Sequence, residues 1–309
     1  MRNIVAVLLL LIAAPLHAAP DVVVQGIQMP VWLQRGATKQ PVSIGLALKD
    51  GDKLITGANA RVLLQSADGS AIKLGENANL TLSKLTQQPE KSGLFSALLD
   101  VAKGAFRFTT ASLTRHKPRD VTVRIAGATV GIRGTDVWGK AGAQMSISAI
   151  EKAMGKSLGI ADKNSRMDFD TVCLIEGKIS VAQGKEAPFV MDQPQSFYVM
   201  PKGAAPLPVA DLSSEQLAEW ATQTEIAAGQ GALHSGGKWK LLLLTTKSKH
   251  EAMSVLDELR SAGYDARIRS LQGGQYQLRI THLPNREEAQ ALANKLTGKM
   301  GVVTPIIEG

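Results

Sequence analysis

From about Val22 to Val199, apolar residues recur at every second position in short runs that turn residues interrupt. Arg61 to Gln65, Ala71 to Leu74, Leu80 to Leu85, Phe106 to Thr109 and Val121 to Ile125 each have the period of a strand with one buried face. Val42 to Leu48 alternates in the same way and is expected to be a further strand. The Asp50-Gly51-Asp52, Asp68-Gly69-Ser70 and Gly75-Glu76-Asn77 segments separate these runs, and an Asp-Gly pair supplies the positive dihedrals of tight hairpins. Strands this short, about ten residues apart, predict an all-β sandwich or β-roll over residues 20–200. One stretch departs from the pattern. Between Met145 and Leu158, Ile147, Ile150, Met154 and Leu158 form a helical stripe.

Residues 201–237 change character. The run Pro201 to Pro208 reads as a stiff connector. Ser213 and Gln216 are spaced as a capping box that opens a helix with Leu217, Trp220 and Thr224 along one side. A tryptophan there calls for packing back onto the β domain. Gly229-Gln230-Gly231 and Ser235-Gly236-Gly237 then read as a flexible break. Residues 238–309 follow the order βαββαβ. A strand at Trp239 to Thr246 precedes a helix with Ala252, Val255, Leu256 and Leu259 at helical spacing. A hairpin pairs Ala266–Leu271 with Tyr276–Thr281, a second helix carries Ala289, Leu292, Ala293 and Leu296, and Val302–Ile307 closes the set. The expected fold is α+β and ferredoxin-like, with both helices on one face of the sheet and the other face open.

The N-terminus changes the picture of location. Arg2 precedes eleven residues, Ile4 to Ala14, without a polar side chain, and small residues lead up to Pro20. This is the make-up of a signal peptide over residues 1–19, cleaved after Ala18 or Ala19. The run is too short for a spanning helix, which needs about 20 residues. No cysteine is present there for lipid attachment. The expectation is a periplasmic protein, peripheral to a membrane at most. Its net charge of +8 suits an acidic polymer such as wall glycan, lipid head groups or nucleic acid, and export argues against the last. The lone Cys173 lies in the apolar run Val172 to Ile175 and reads as a buried side chain, so no internal disulfide is available.

Nothing in the chain composes a catalytic set. Beyond the signal, His116, His234, His250 and His282 lack metal-ligand spacing, and no nucleophile elbow or phosphate-cradling loop occurs. Asp50 and Asp52 read as turn residues. Gly131-Ile132-Arg133-Gly134-Thr135-Asp136 reads as a glycine-permitted bend held by a local Arg133–Asp136 pair. No enzyme activity, metal or cofactor is expected.

Two resemblances refine this. The C-terminal module resembles the SPOR domain, carried by the first strand and helix, Gln275 to Ile280, Arg286-Glu287-Glu288-Ala289 and the Leu292-Ala293, Leu296 helix. That resemblance implies binding to peptidoglycan glycan strands stripped of stem peptides, on the open sheet face. The preceding domain resembles the FecR-like domain through Gly51 to Gly57, Ala60-Arg61-Val62, Asp68-Gly69-Ser70, Leu74-Gly75, Gly104 to Arg107 and Gly131 to Asp136, over roughly residues 45–182. Members of that family regulate sigma factors from the inner membrane through a cytosolic segment. A chain with a cleaved signal does not inherit that role.

Alternation assigns Leu241, Leu243, Ile268, Leu278 and Ile280 to the helices. It leaves Lys240, Leu242, Arg267, Arg269, Gln277 and Arg279 on the open face, with Gln275 at its edge. The module holds eleven Lys and Arg against seven Asp and Glu. Arginines on this face fit the free lactyl carboxylate of unsubstituted muramic acid, and the glutamines fit sugar hydroxyls. The face departs from the SPOR pattern. Leu242 stands where a glutamine is common, Gln277 where an arginine is common, Gln275 replaces an aromatic, and Thr281-His282-Leu283 replaces Gly-Pro-Phe. The seven candidates therefore rest on geometry. Two readings stay open: glycan binding with the FecR-like domain as a second interaction surface for an envelope protein, or a protein-interaction module using an apolar patch at Leu242 and Leu244.

Overall fold

The computed structural model describes residues 21–88, 94–114, 119–125, 128–132, 134–154, 157, 159–183, 187–201, 207–209 and 214–309. The expected signal peptide, His116, Arg133, Leu158, the 202–206 connector and Ser213 lie outside them. The first strands are β1 (Val22–Gln28), β2 (Val31–Arg35), β3 (Thr38–Pro41), β4 (Ala47–Leu48), β5 (Lys53–Thr56), β6 (Arg61–Ser66), β7 (Ala71–Leu74), β8 (Asn79–Gln88) and β9 (Leu94–Thr109). Next come β10 (Arg119–Ile125), β11 (Ala128–Ile132), β12 (Asp136–Ser146), α1 (Ile147–Met154), β13 (Arg166–Glu176), β14 (Ile179–Gln183), β15 (Phe189–Met191), β16 (Ser196–Pro201) and β17 (Leu207–Val209). Helix α2 (Ser214–Thr222) and β18 (Ala232–His234) lead into the C-terminal set. That set is β19 (Trp239–Thr246), α3 (Lys249–Ser261), β20 (Arg267–Ser270), β21 (Tyr276–Leu283), α4 (Arg286–Leu296) and β22 (Ile306–Glu308).

The chain is mostly β, and its large domain has two layers. In one, neighbours run β18, β1, β6, β7, β9, β12, β13, β16, β17. In the other they run β3, β2, β5, β8, β9, β10, β11, β14, β15. Strand β9 belongs to both. Its first part pairs with β8 and, in parallel, with β10, and from Gly104 onward it pairs with β12 and then β7. Gly104 has φ 88°, and a Cβ there would lie 2.5 Å from the Ala78 backbone. Only glycine meets both demands.

The period-two residues supply the core between the layers. Val62, Leu64, Ile72, Leu74, Leu80, Leu82, Val121 and Val123 are all buried, each burial contributing about 1.5–3 kcal/mol. On β13, Val172 and Leu174 face this core, whereas Cys173 faces a second cluster with Trp138, Phe169 and Phe197. Helix α2 covers that cluster, with Trp220 stacked on Trp138 at 5.0 Å and against Phe197 at 4.6 Å. Trp220 thus packs back as its position in the sequence requires.

Two local expectations change. Val42 to Leu48 is not one strand, because Gly45 turns at φ 76° and donates to the Val24 carbonyl, leaving only Ala47–Leu48 extended. Asp52 is more than a turn residue, since it is buried and takes Arg35 at 2.7 and 2.6 Å. Asp136 is held by Arg107 on the neighbouring strand, at 2.9 and 2.6 Å, while the expected pair with Arg133 lies outside the described residues. Arg107 also reaches Glu225 at 3.2 Å, and Lys73 meets the same carboxylate at 2.6 Å. The hydrogen bond to Asp136 raises the Arg107 pKa further.

The C-terminal strands form a separate antiparallel sheet in the order β20, β21, β19, β22. Ser248 caps α3 by accepting from the Glu251 amide, and Asn285 caps α4 by accepting from the Glu288 amide. The apolar stripes of both helices are buried as their spacing predicts. The last strand is Ile306–Glu308, later than expected, because Val302 is taken up in a bridge to Lys299. Among the described residues, no helix is long and apolar enough to cross a membrane.

Gly104→Ala is expected to lower stability by about 3 kcal/mol, adding left-handed strain to overpacking, as read from urea denaturation. Burial pushes the Cys173 thiol up to about 12 from 9.0. Cys173 should resist a thiol reagent at pH 8 until the protein unfolds. The unfolded thiol ionises first, so this group's contribution to stability falls as pH rises from about 9 towards 12.

Candidate functional site

The helices cover one face of the C-terminal sheet, and β-ladder register builds the other. Arg267 lies opposite Arg279, Arg279 opposite Leu242, and Leu242 opposite Ile306, one row across all four strands. A second row sets Arg269, Gln277 and Thr245 side by side. Lys240 faces Glu308 at the β22 edge. Gln275 follows the single turn Gln272–Gly274, where its carbonyl accepts from the Leu271 amide at 2.8 Å.

Arg267 and Arg269 are exposed, while Lys240, Gln275, Gln277 and Arg279 are half-buried. Leu242 differs from expectation, being only 7% exposed. It forms an apolar floor between its neighbours, and Ile306, 58% exposed, extends it towards the edge. Leu244 leaves the face altogether. A bulge between Leu242 and Leu244 shifts the register, so Leu244 sits opposite Leu278 on the helix side. The expected Leu242–Leu244 patch is thereby corrected to Leu242–Ile306. Ile268 does lie opposite Leu278, but its edge strand leaves it 36% exposed.

The electrostatics of this face work against the fold's own stability. Like charges directly opposite across a ladder are destabilising, and Arg267 and Arg279 are so placed. Arg267 has Asp265 at 3.4 Å, a long pair between an exposed arginine and a buried carboxylate. Arg279 makes no side-chain hydrogen bond or ion pair among the described residues, and its Nε is buried without a partner. An unmet buried donor costs about 1–3 kcal/mol. Period-two reasoning found the arginines. It missed Ile306, Thr245 and Glu308, because the bulge and the late start of β22 are invisible to alternation.

Of the histidines, His234 lies on β18, His250 at the start of α3 and His282 on β21, where it bonds Thr281 at 2.9 Å. They do not converge.

Two family models match the chain. One, described as FecR protein, covers residues 52–153, and one, described as SPOR domain, covers residues 235–307. No curated protein matches it. Two crystal structures of a candidate anti-sigma factor from Parabacteroides distasonis are similar to it. One has 13% identity and a TM-score of 0.38, over 55% of this chain and 64% of that one. The other has 12% identity and a TM-score of 0.37, over 79% and 91%.

Arg279→Met keeps the apolar stem and deletes the orphaned nitrogen. Its unfolding free energy should equal or exceed that of the wild type, within about 1 kcal/mol, in urea titration.

Proposed function

We propose that this chain, which carries a FecR domain and a SPOR domain, is an exported, non-catalytic protein of the bacterial cell envelope. Its SPOR domain binds peptidoglycan glycan strands that have lost their stem peptides, and its FecR-containing β domain offers a second surface to another envelope component. The location is the periplasm, with no nucleic-acid partner. The strand order β20, β21, β19, β22 supports a ferredoxin-like module with one free face.

The observation that carries this reading is the row Arg267, Arg279, Leu242, Ile306. Muramic acid without a stem carries a lactyl group, a methyl beside a carboxylate. The arginines fit the carboxylate by forked, charge-assisted hydrogen bonds, and the Leu242–Ile306 strip fits the methyl and the apolar flank of the sugar. Gln277 and Thr245 stand where ring hydroxyls would lie. When a stem peptide is attached, the carboxylate becomes an amide and its charge is gone.

A second reading, with the face as a protein-binding surface, draws on the exposure of Ile306. One assay separates the two. Purified sacculi, with or without amidase treatment to strip stems, are pelleted with the mature chain. Binding should rise with stripping, and each of Arg267→Ala, Arg269→Ala and Arg279→Ala should weaken it by about tenfold, the value of one 1.4 kcal/mol contact. Equal binding to both sacculi, or none to either, would discard the glycan reading in favour of a protein partner.

A further inference from the structure

The helical side of the SPOR domain is engaged by the rest of the chain. Glu288 stands three residues into α4 from its cap Asn285, the place from which a carboxylate commonly turns back to the cap's own amide. Here the side chain turns away to a distant segment. Its Oε1 accepts from the Gly229 amide at 2.6 Å, and its Oε2 accepts from the amides of Gly231 and Ala232 at 2.6 and 2.9 Å. Glu288 is only 5% exposed. Two turns further along α4, Lys295 donates to the Gln230 carbonyl at 2.8 Å. The glycine stretch that reads as a flexible break in sequence is gripped on both its amide and its carbonyl side.

That segment is fitted to its seat. Gly231 has φ 76°, and a Cβ there would lie 3.0 Å from Leu292 of α4. Directly after it, β18 pairs antiparallel with β1, so the gripped peptide is itself part of the large β domain. A second contact lies at the end of α3. The Gly263 carbonyl accepts from the Val31 amide at 3.2 Å, and the Ser261 carbonyl accepts from Trp32 Nε1 at 3.1 Å. A Cβ on Gly263 would lie 2.7 Å from the Trp32 ring. Both helices therefore dock, at separate points, and the open face is left out of the contact.

We infer that the helical side of the SPOR domain is a docking surface for the chain's own β domain, that Glu288 locks it, and that the two domains work as one rigid body. Domains joined by a linker reorient freely unless their interface prevents it. A buried carboxylate holding three amides is such a restraint, because releasing it exposes a charge and three donors together. The open sheet face is then presented at a fixed distance and angle from the FecR domain. Anything bound to the two surfaces is held in register, which a tether would not achieve. This inference is independent of the ligand on the open face.

The test uses the full mature chain. Backbone 15N relaxation should report one rotational correlation time for the β domain and for residues 238–309. Glu288→Ala should give residues 238–309 a shorter one, and should speed proteolysis within residues 229–237 by at least about tenfold. Glu288→Gln, which keeps the shape of the side chain but replaces one acceptor oxygen by a donor, should fall between. Glu287→Ala, one residue away, should behave as wild type. Two correlation times in the wild type would overturn the inference. So would Glu288→Ala or Glu288→Gln variants that tumble and resist protease as the wild type does. If Glu288→Ala fails to fold, the Glu288→Gln variant decides.

Discussion

The two layers of the β domain close on each other because strand β9 hydrogen-bonds in both. Its crossing point is Gly104, pressed against Ala78 with a positive φ. Everything downstream takes its position from that crossing. Strand β12 lies along the second part of β9, β13 along β12, and the outer aromatic cluster on β12, β13 and β16. That cluster in turn needs the cover that α2 provides through Trp220. A shift at the crossing would move the platform on which the later elements rest.

Buried charges continue the same line of dependence. Arg107, on β9, is bonded by Asp136 and also reaches Glu225, which lies just beyond α2. Lys73 meets Glu225 from the other side. Partly buried ions of this kind are costly unless every partner is present. They tie the segment after α2 to the sheet, and that segment continues into the peptide gripped by Glu288. The segment from Glu225 to Ala232 is thus seated at both ends, on the β sheet and on α4.

The open face of the C-terminal sheet is built differently. Where Arg35 and Arg107 of the β domain are paired with carboxylates, this face leaves the Arg279 Nε without a partner and sets Arg267 opposite it. Local conflicts of this type collect at functional sites, where a ligand supplies what the fold withholds. The apolar strip of Leu242 and Ile306 beside the arginines makes the row amphipathic.

Much of this was legible in the chain itself. Side-chain period fixed which residues of the β domain and of both C-terminal helices face inwards, because alternation and helical spacing are local properties of the backbone. The same rule put Arg267, Arg269, Gln277 and Arg279 on one face, and Trp220 declared its need for cover. Tertiary structure decided the rest, for reasons no local rule contains. A bulge in β19 turned Leu244 to the helices, and neighbours on both flanking strands buried Leu242. Ladder neighbours far apart in sequence gave Asp136 the arginine of β9. A carboxylate placed to cap its own helix bound another segment instead, where three amides just before and at the start of β18 converge on it. Pairing between distant strands sets those partners, and period alone carries no information about which strands will meet.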